Sequence, residues 1–161
     1  MLSILQYCKD LQTVTKNEGE ILLSQGSKSD KFYIIKHGEC EILRSDFQIN
    51  KISEPGSMLG EMSILLDNPH MATVRCTKDS EFYVVDNASD FLHSNKDITY
   101  HLAKTLAQRL NGVTSYLVDL KNQFEGRDDH FSMVDEVLQA LVSDQDDYQI
   151  ELGSERSKDA D

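Results

Sequence analysis

The fold is decided by the segment 59–74, which reads Leu59-Gly60-Glu61-Met62-Ser63-Ile64-Leu65-Leu66-Asp67-Asn68-Pro69-His70-Met71-Ala72-Thr73-Val74. Gly60 lacks a Cβ, so the backbone can approach a ligand closely there. The apolar residues 62–66 are enough for one or two helical turns, whose first N–H groups would lack partners and favour an anion. At the mouth of that site, the carboxylate of Glu61 would repel a phosphate but accept hydrogen bonds from sugar hydroxyls.

Short β-rich runs separated by glycine turns surround this segment. The runs are 21–23, 32–35, 40–44, 47–52, 72–77 and 81–85. Many short strands at near-regular spacing are typical of an antiparallel barrel or jelly roll. The prediction is an α+β domain: a jelly-roll-like β-roll of about eight strands, a short helix in segment 59–74, and flanking N- and C-terminal helices.

The segment 59–74 resembles the phosphate-binding cassette of the cyclic nucleotide-binding domain family. The matching residues are Gly60, Glu61, Met62, Ser63, Pro69, Ala72, Thr73 and Val74. The turns at 19–20, 26 and 38–39 and the Phe-Tyr-Ile-Ile run at 32–35 match as well, so the resemblance spans about residues 15–110. It fails at one position: His70 stands where the family places the arginine that pairs with the cyclic phosphate.

The resemblance implies a cyclic nucleotide ligand, cAMP before cGMP, and no other cofactor with certainty. It assigns residues to the ribose and phosphate (Gly60, Glu61, Met62, Ser63), to the phosphate side (His70, Met71, Ala72, Thr73) and to the base (Thr114, Ser115). Thr114 and Ser115 follow Val113 as in family members whose Thr-Ser pair reaches the base across a dimer. One branch of the superfamily senses haem, for which His70 and Cys76 are residues of suitable type.

The change from arginine to His70 leaves three outcomes open. Arginine offers a fixed, always charged fork of donors, whereas histidine offers one suitable donor and is about half charged near pH 6.5. Losing the charged pair costs about 1.5–3 kcal/mol per bond, or roughly ten- to a hundredfold in affinity. The outcomes are weak cyclic nucleotide binding, another ligand, or none. If a nucleotide binds, phosphate contact should raise the pKa of His70, and affinity should fall as the pH rises through neutrality.

The C-terminal part of the chain is predicted to be helical. The spacing predicts a short helix near 2–11, and Asn87 and Asn95 can cap two later helices, the second beginning at Lys96. The long helix carries a seam at three- and four-residue spacing: Ala103, Leu106, Leu110, Val113, Leu117, Leu120 and Phe124. This seam favours a homodimer through the 103–124 helix. The expected organisation is a domain at 1–124, an extra helix at 125–143 and an acidic, disordered tail at 144–161.

Composition excludes several function classes. The net charge of −12 argues against direct DNA binding and against anionic membranes, both of which need clustered basic residues. No apolar run has the length of a membrane span and no secretory leader is apparent, so a cytoplasmic location is expected. The three cysteines are widely spaced and predict no metal site, and no catalytic Ser/His/Asp grouping is present, so an enzyme is not expected.

The favoured function is a stand-alone regulatory module that binds a cyclic nucleotide and signals through its C-terminal helices as a dimer. The alternative is a degenerate domain that has lost the nucleotide and serves as a scaffold for dimerisation and for an unknown protein partner.

Overall fold

The computed structural model of the 161-residue chain describes residues 4–123 and 132–142. The elements, in chain order, are a 3₁₀ helix at Ile4–Cys8, β1 at Gln12–Lys16, β2 at Ile21–Leu23, β3 at Lys31–His37, β4 at Cys40–Arg44, β5 at Phe47–Ile52, β6 at Met58–Leu59, α1 at Glu61–Leu65, β7 at Thr73–Cys76, β8 at Ser80–Asp86, α2 at Ala88–Ser94, α3 at Lys96–Gln123 and α4 at Ser132–Val142. The predicted α+β fold with a short helix after β6 is confirmed.

Eight antiparallel strands form two four-stranded sheets, in the orders β1-β8-β3-β6 and β2-β7-β4-β5. Both sheets contribute to one buried apolar cluster: Leu22, Leu23, Ile35, Cys40, Leu59, Val74, Cys76 and Phe82. The sequence runs had marked six strands, and β1 and β6 were missed. β1 reads Gln-Thr-Val-Thr-Lys with a single apolar residue, and β6 has only two residues, so neither produces an apolar pattern.

The turn between β3 and β4 depends on Gly38. Its φ is +113°, and a Cβ there would lie 2.6 Å from the Cα of Ser80 and 2.1 Å from its Oγ. A side chain at this position would therefore collide with the start of β8, which pairs with β3 and helps to hold the cassette.

The helix ends differ in detail from the expected caps. Asn87 precedes α2 with a φ of 47°, but its side chain makes no capping hydrogen bond. Instead, Oδ1 of Asp30 accepts from the Ser89 N–H at 3.1 Å. Asn95 precedes α3 as predicted, and its side-chain Nδ2 donates to the Phe91 carbonyl at 3.0 Å, which closes the end of α2. The expected N-terminal helix is the short 3₁₀ turn, with Ile4 and Cys8 buried.

The chain divides into two compact units, Met1–Lys104 and Thr105–Asp161. In α3, the buried residues are Ile98 and Leu102, both in the first unit. Phe124 of the predicted seam, residues 125–131 and 143 of the predicted extra helix, and the expected disordered tail at 144–161 lie outside the described residues. No described helix is both long and apolar enough to cross a membrane. The described residues also contain no cluster of three His, Cys, Asp or Glu side chains suited to a metal ion.

Candidate functional site

The cassette is a closed loop between β6 and β7. Gly60 enters it with a φ of +94°, directly before α1. A Cβ at this glycine would lie 2.9 Å from Cδ1 of Leu23 and 3.6 Å from Cε1 of His70. The positive φ therefore favours glycine here independently of any ligand, and the flexible end of Leu23 adds only a contact that can shift.

The imidazole of His70 is buried inside this loop, with 4% of its residue surface exposed. Its Nδ1 lies 3.0 Å from Oγ of Ser63, and its Nε2 lies 3.0 Å from Oγ of Ser29. The Ser63 hydroxyl donates to the Gly60 carbonyl at 2.9 Å. Both ring nitrogens thus have serine partners within hydrogen-bonding distance.

These contacts favour one tautomer of His70. A hydroxyl has one hydrogen, and when that of Ser63 is donated to the Gly60 carbonyl, Oγ of Ser63 accepts from Nδ1–H. A neutral ring protonated at Nδ1 leaves Nε2 as an acceptor, which takes the hydroxyl hydrogen of Ser29. The hydrogen bonds form one directed chain from Ser29 through His70 and Ser63 to Gly60.

Burial also sets the charge of this histidine. Loss of solvation disfavours the imidazolium, so the pKa of His70 lies below its ordinary value of 6.5. The ring is therefore mostly neutral at pH 7. The sequence prediction took a solvent-exposed imidazole, half charged near pH 6.5, as its reference. In the folded protein His70 carries less positive charge than that reference.

The loop between β2 and β3 holds the cassette from the other side. Gly26 N–H donates to the His70 carbonyl, and His70 N–H donates to the Ser27 carbonyl, both at 2.8 Å. Gln25 N–H donates to Oγ1 of Thr73 at 3.0 Å. Ser29 belongs to this loop and was missed by sequence reasoning, because no spacing between its residues and those of the cassette signals their contact.

The cassette contains no lysine and no arginine. The sequence contains no Lys or Arg between Lys51 and Arg75. Arg75 is paired with Glu41 at 2.6 Å. Lys28 approaches from the β2–β3 loop, but its Nζ lies 2.7 Å from Oδ1 of Asp67, and this exposed ion pair lowers the pKa of that carboxyl.

The other predicted site residues differ in how far they are exposed to solvent. Glu61 is buried with 4% exposure, whereas Met62 and Met71 are exposed at 42% and 39%. Ala72 and Thr73 are half-buried at the start of β7. The structure thus brings together Gly60, Ser63 and His70. Thr114 and Ser115 belong to the second unit, where Oγ1 of Thr114 donates to the Leu110 carbonyl at 2.9 Å; their base contact stays a prediction.

Comparison with protein families gives one match. Residues 13–92 match the family described as the cyclic nucleotide-binding domain. A cAMP-dependent protein kinase regulatory subunit of Yarrowia lipolytica is 32% identical over 87 residues, which are 54% of this chain and 22% of that protein. An uncharacterized ABC transporter ATP-binding protein of Mycobacterium tuberculosis is 34% identical over 73 residues, 43% of this chain and 22% of the relative. The chain thus spans about a fifth of these relatives.

Solved structures show the same fold. The catabolite activator protein of Thermus thermophilus superposes with a TM-score of 0.62 at 20% identity, covering 74% of this chain and 59% of that one. The cAMP-bound PfPKA-R superposes with a TM-score of 0.54 at 22% identity, covering 68% of this chain and 37% of that one. At these identities the likeness establishes the fold alone.

The buried histidine predicts a pH dependence of stability. Its folded-state pKa lies below 6.5, so the unfolded chain binds a proton first as the pH falls. The contribution of His70 to the free energy of unfolding is fully present above about pH 6.5. It declines as the pH falls below 6.5, by at most about 1.4 kcal/mol per pH unit, until His70 is protonated in the folded state as well. Denaturant unfolding between about pH 5 and 8 measures the decline.

The variant His70→Gln should remove the part of the stability loss at low pH that comes from His70. The matched control is His93→Gln, at an exposed position on α2, which should show the same stability loss as the wild-type protein. Equal pH profiles for the wild-type protein and His70→Gln would contradict the burial of a neutral His70.

Proposed function

Because residues 13–92 match the cyclic nucleotide-binding domain family, we propose that this chain is a regulatory module whose cassette binds a cyclic nucleotide, cAMP before cGMP. The observation that carries this proposal is the cassette geometry. Gly60 turns the chain with a positive φ, and Glu61 and Ser63 of α1 are both turned inward and buried. Such domains are regulatory and not catalytic, so the activity is ligand sensing.

Each polar group of the cassette has a proposed role. The Glu61 carboxylate accepts hydrogen bonds from the ribose hydroxyls, and Ser63 and His70 face the phosphate. Met62, Met71, Ala72 and Thr73 line the same loop, and Thr114 and Ser115 serve the base. Without a guanidinium the phosphate charge is balanced only by dipoles, so we expect weaker binding than in family members that have the arginine.

The described contacts supply a route from the cassette to the helices. Ser29 bonds to His70, and the next residue, Asp30, binds the start of α2: its carbonyl accepts from Ala88 N–H at 3.2 Å, and its Oδ1 accepts from Ser89 N–H. A ligand that competes for His70 releases Ser29 and shifts the loop that holds α2. Since α2 leads directly into α3, binding would change the populations of two helix placements.

The first test is calorimetric titration of the full chain with cAMP and cGMP. His70→Arg should strengthen cyclic nucleotide binding roughly ten- to a hundredfold, because it restores a charged, bidentate donor. His93→Arg adds the same charge on α2, outside the cassette, and should leave affinity unchanged. Binding that His70→Arg fails to strengthen, in a variant that remains folded, would contradict the proposed phosphate contact.

The pH dependence of the cAMP titration tests whether His70 contacts the phosphate. Phosphate contact raises the pKa of His70 from its lowered value, so protonation and binding favour each other. The cAMP affinity of the wild-type protein should fall as the pH rises from about 5.5 to 8.5. A flat profile would remove His70 from the phosphate site.

We also propose that the chain forms a homodimer through the 103–124 helix. Within α3, residues 103–123 include none that is buried in the chain, although several are large and apolar. Leu110 and Val113 of the seam are 46% and 54% exposed. An apolar helix face of this kind is covered when a second copy pairs with it.

Sedimentation of paired variants tests the dimer. Val113→Asp should weaken self-association by about tenfold or more, because it places a charge in the apolar seam. Tyr100→Asp is the control, since Tyr100 is 74% exposed on the same helix but precedes the seam. A dimer that is equally stable in both variants would place the interface elsewhere.

A second candidate function is a scaffold without a nucleotide. It is favoured by the hydrogen-bonding of His70, both of whose ring nitrogens are already paired within the protein. Under this alternative, neither cAMP nor cGMP binds at millimolar concentration, the dimer persists, and a protein partner of unknown identity is bound instead.

A further inference from the structure

The cassette is unusual for an anion site in that it contains acidic groups but no cation. The segment 60–74 includes Glu61 and Asp67 and no Lys or Arg. Lys28, which lies closest in the adjoining loop, already pairs with Asp67. A phosphodiester entering this loop would bring a full negative charge beside a buried carboxylate, in a protein of net charge −12. Charge that is buried without a partner is strongly disfavoured.

The polar groups that are present match hydroxyls better than phosphate. The serine hydroxyls of Ser29 and Ser63 both donate and accept, the Glu61 carboxylate accepts, and the neutral His70 ring donates from Nδ1 and accepts at Nε2. A ligand hydroxyl also donates and accepts, so it can join this chain in either direction. A phosphodiester oxygen only accepts, so to obtain a donor from these side chains it would have to break the existing chain.

We propose that this cassette binds an uncharged nucleoside more tightly than the corresponding 3′,5′-cyclic nucleotide. The inference rests on the proposed function, because it assigns a ligand class to the same site. The ribose hydroxyls of the nucleoside take the place of the cyclic phosphate at Ser63 and His70, and Glu61 retains its role toward the sugar. The replacement of arginine by His70 is then a change of ligand class and not a loss of binding.

The experiment compares two ligands that share a base. The full chain is titrated calorimetrically at pH 7.5 with adenosine and with cAMP, and in a second series with guanosine and with cGMP. In the series whose base the protein accepts, the nucleoside should bind with a Kd at least about tenfold lower than that of its cyclic nucleotide. His70→Arg should reverse the order, because it supplies the missing cation, and His93→Arg should leave the order unchanged.

The wild-type comparison needs no substitution, so it remains decisive if His70→Arg does not fold. Cyclic nucleotide binding that equals or exceeds nucleoside binding would overturn this inference and leave the proposed function standing. If no ligand of either class binds to the folded protein, the inference and the proposed ligand site both fail, and the scaffold function replaces them.

Discussion

A directed chain of hydrogen bonds from Ser29 through His70 and Ser63 to the Gly60 carbonyl organises the cassette. It joins the β2–β3 loop to the turn before α1, and burial, which lowers the pKa of His70, favours a neutral imidazole within it. Because His70 and Ser63 are buried, breaking the bond between them leaves a polar group without a partner, which costs about 1–3 kcal/mol. His70 is thus part of the internal support of the fold.

This hydrogen-bond chain links the cassette both to the core and to α2. Gly60 packs against Leu23 of the core, and Asp30, next to Ser29, holds the first turn of α2. A ligand that rearranges the hydroxyls at His70 therefore acts on the element that precedes α3. The absence of a basic residue from segment 60–74 determines which ligand can do this, because charge balance favours a ligand rich in hydroxyls.

Much of the fold could be predicted from the sequence because it rests on local signals. Alternating apolar residues marked six strands, and the motif from Gly60 to Val74 placed α1 and β7. β1 and β6 were not predicted because their pairing with β8 and β3 is a tertiary effect that their own residues do not encode. The site was predicted in part: Gly60, Ser63 and His70 do meet. Ser29 lies 41 residues from His70, and only the folded register of the β2–β3 loop brings them together.

The charge and tautomer of His70 are the central claim, and a long-range ¹H–¹⁵N NMR correlation of the imidazole in the unliganded protein at pH 7 tests them directly. The account predicts a neutral ring with its proton on Nδ1 and none on Nε2, in slow exchange with solvent because the ring is buried. A doubly protonated ring, or a neutral ring carrying its proton on Nε2, would contradict the directed chain and the ligand preference drawn from it.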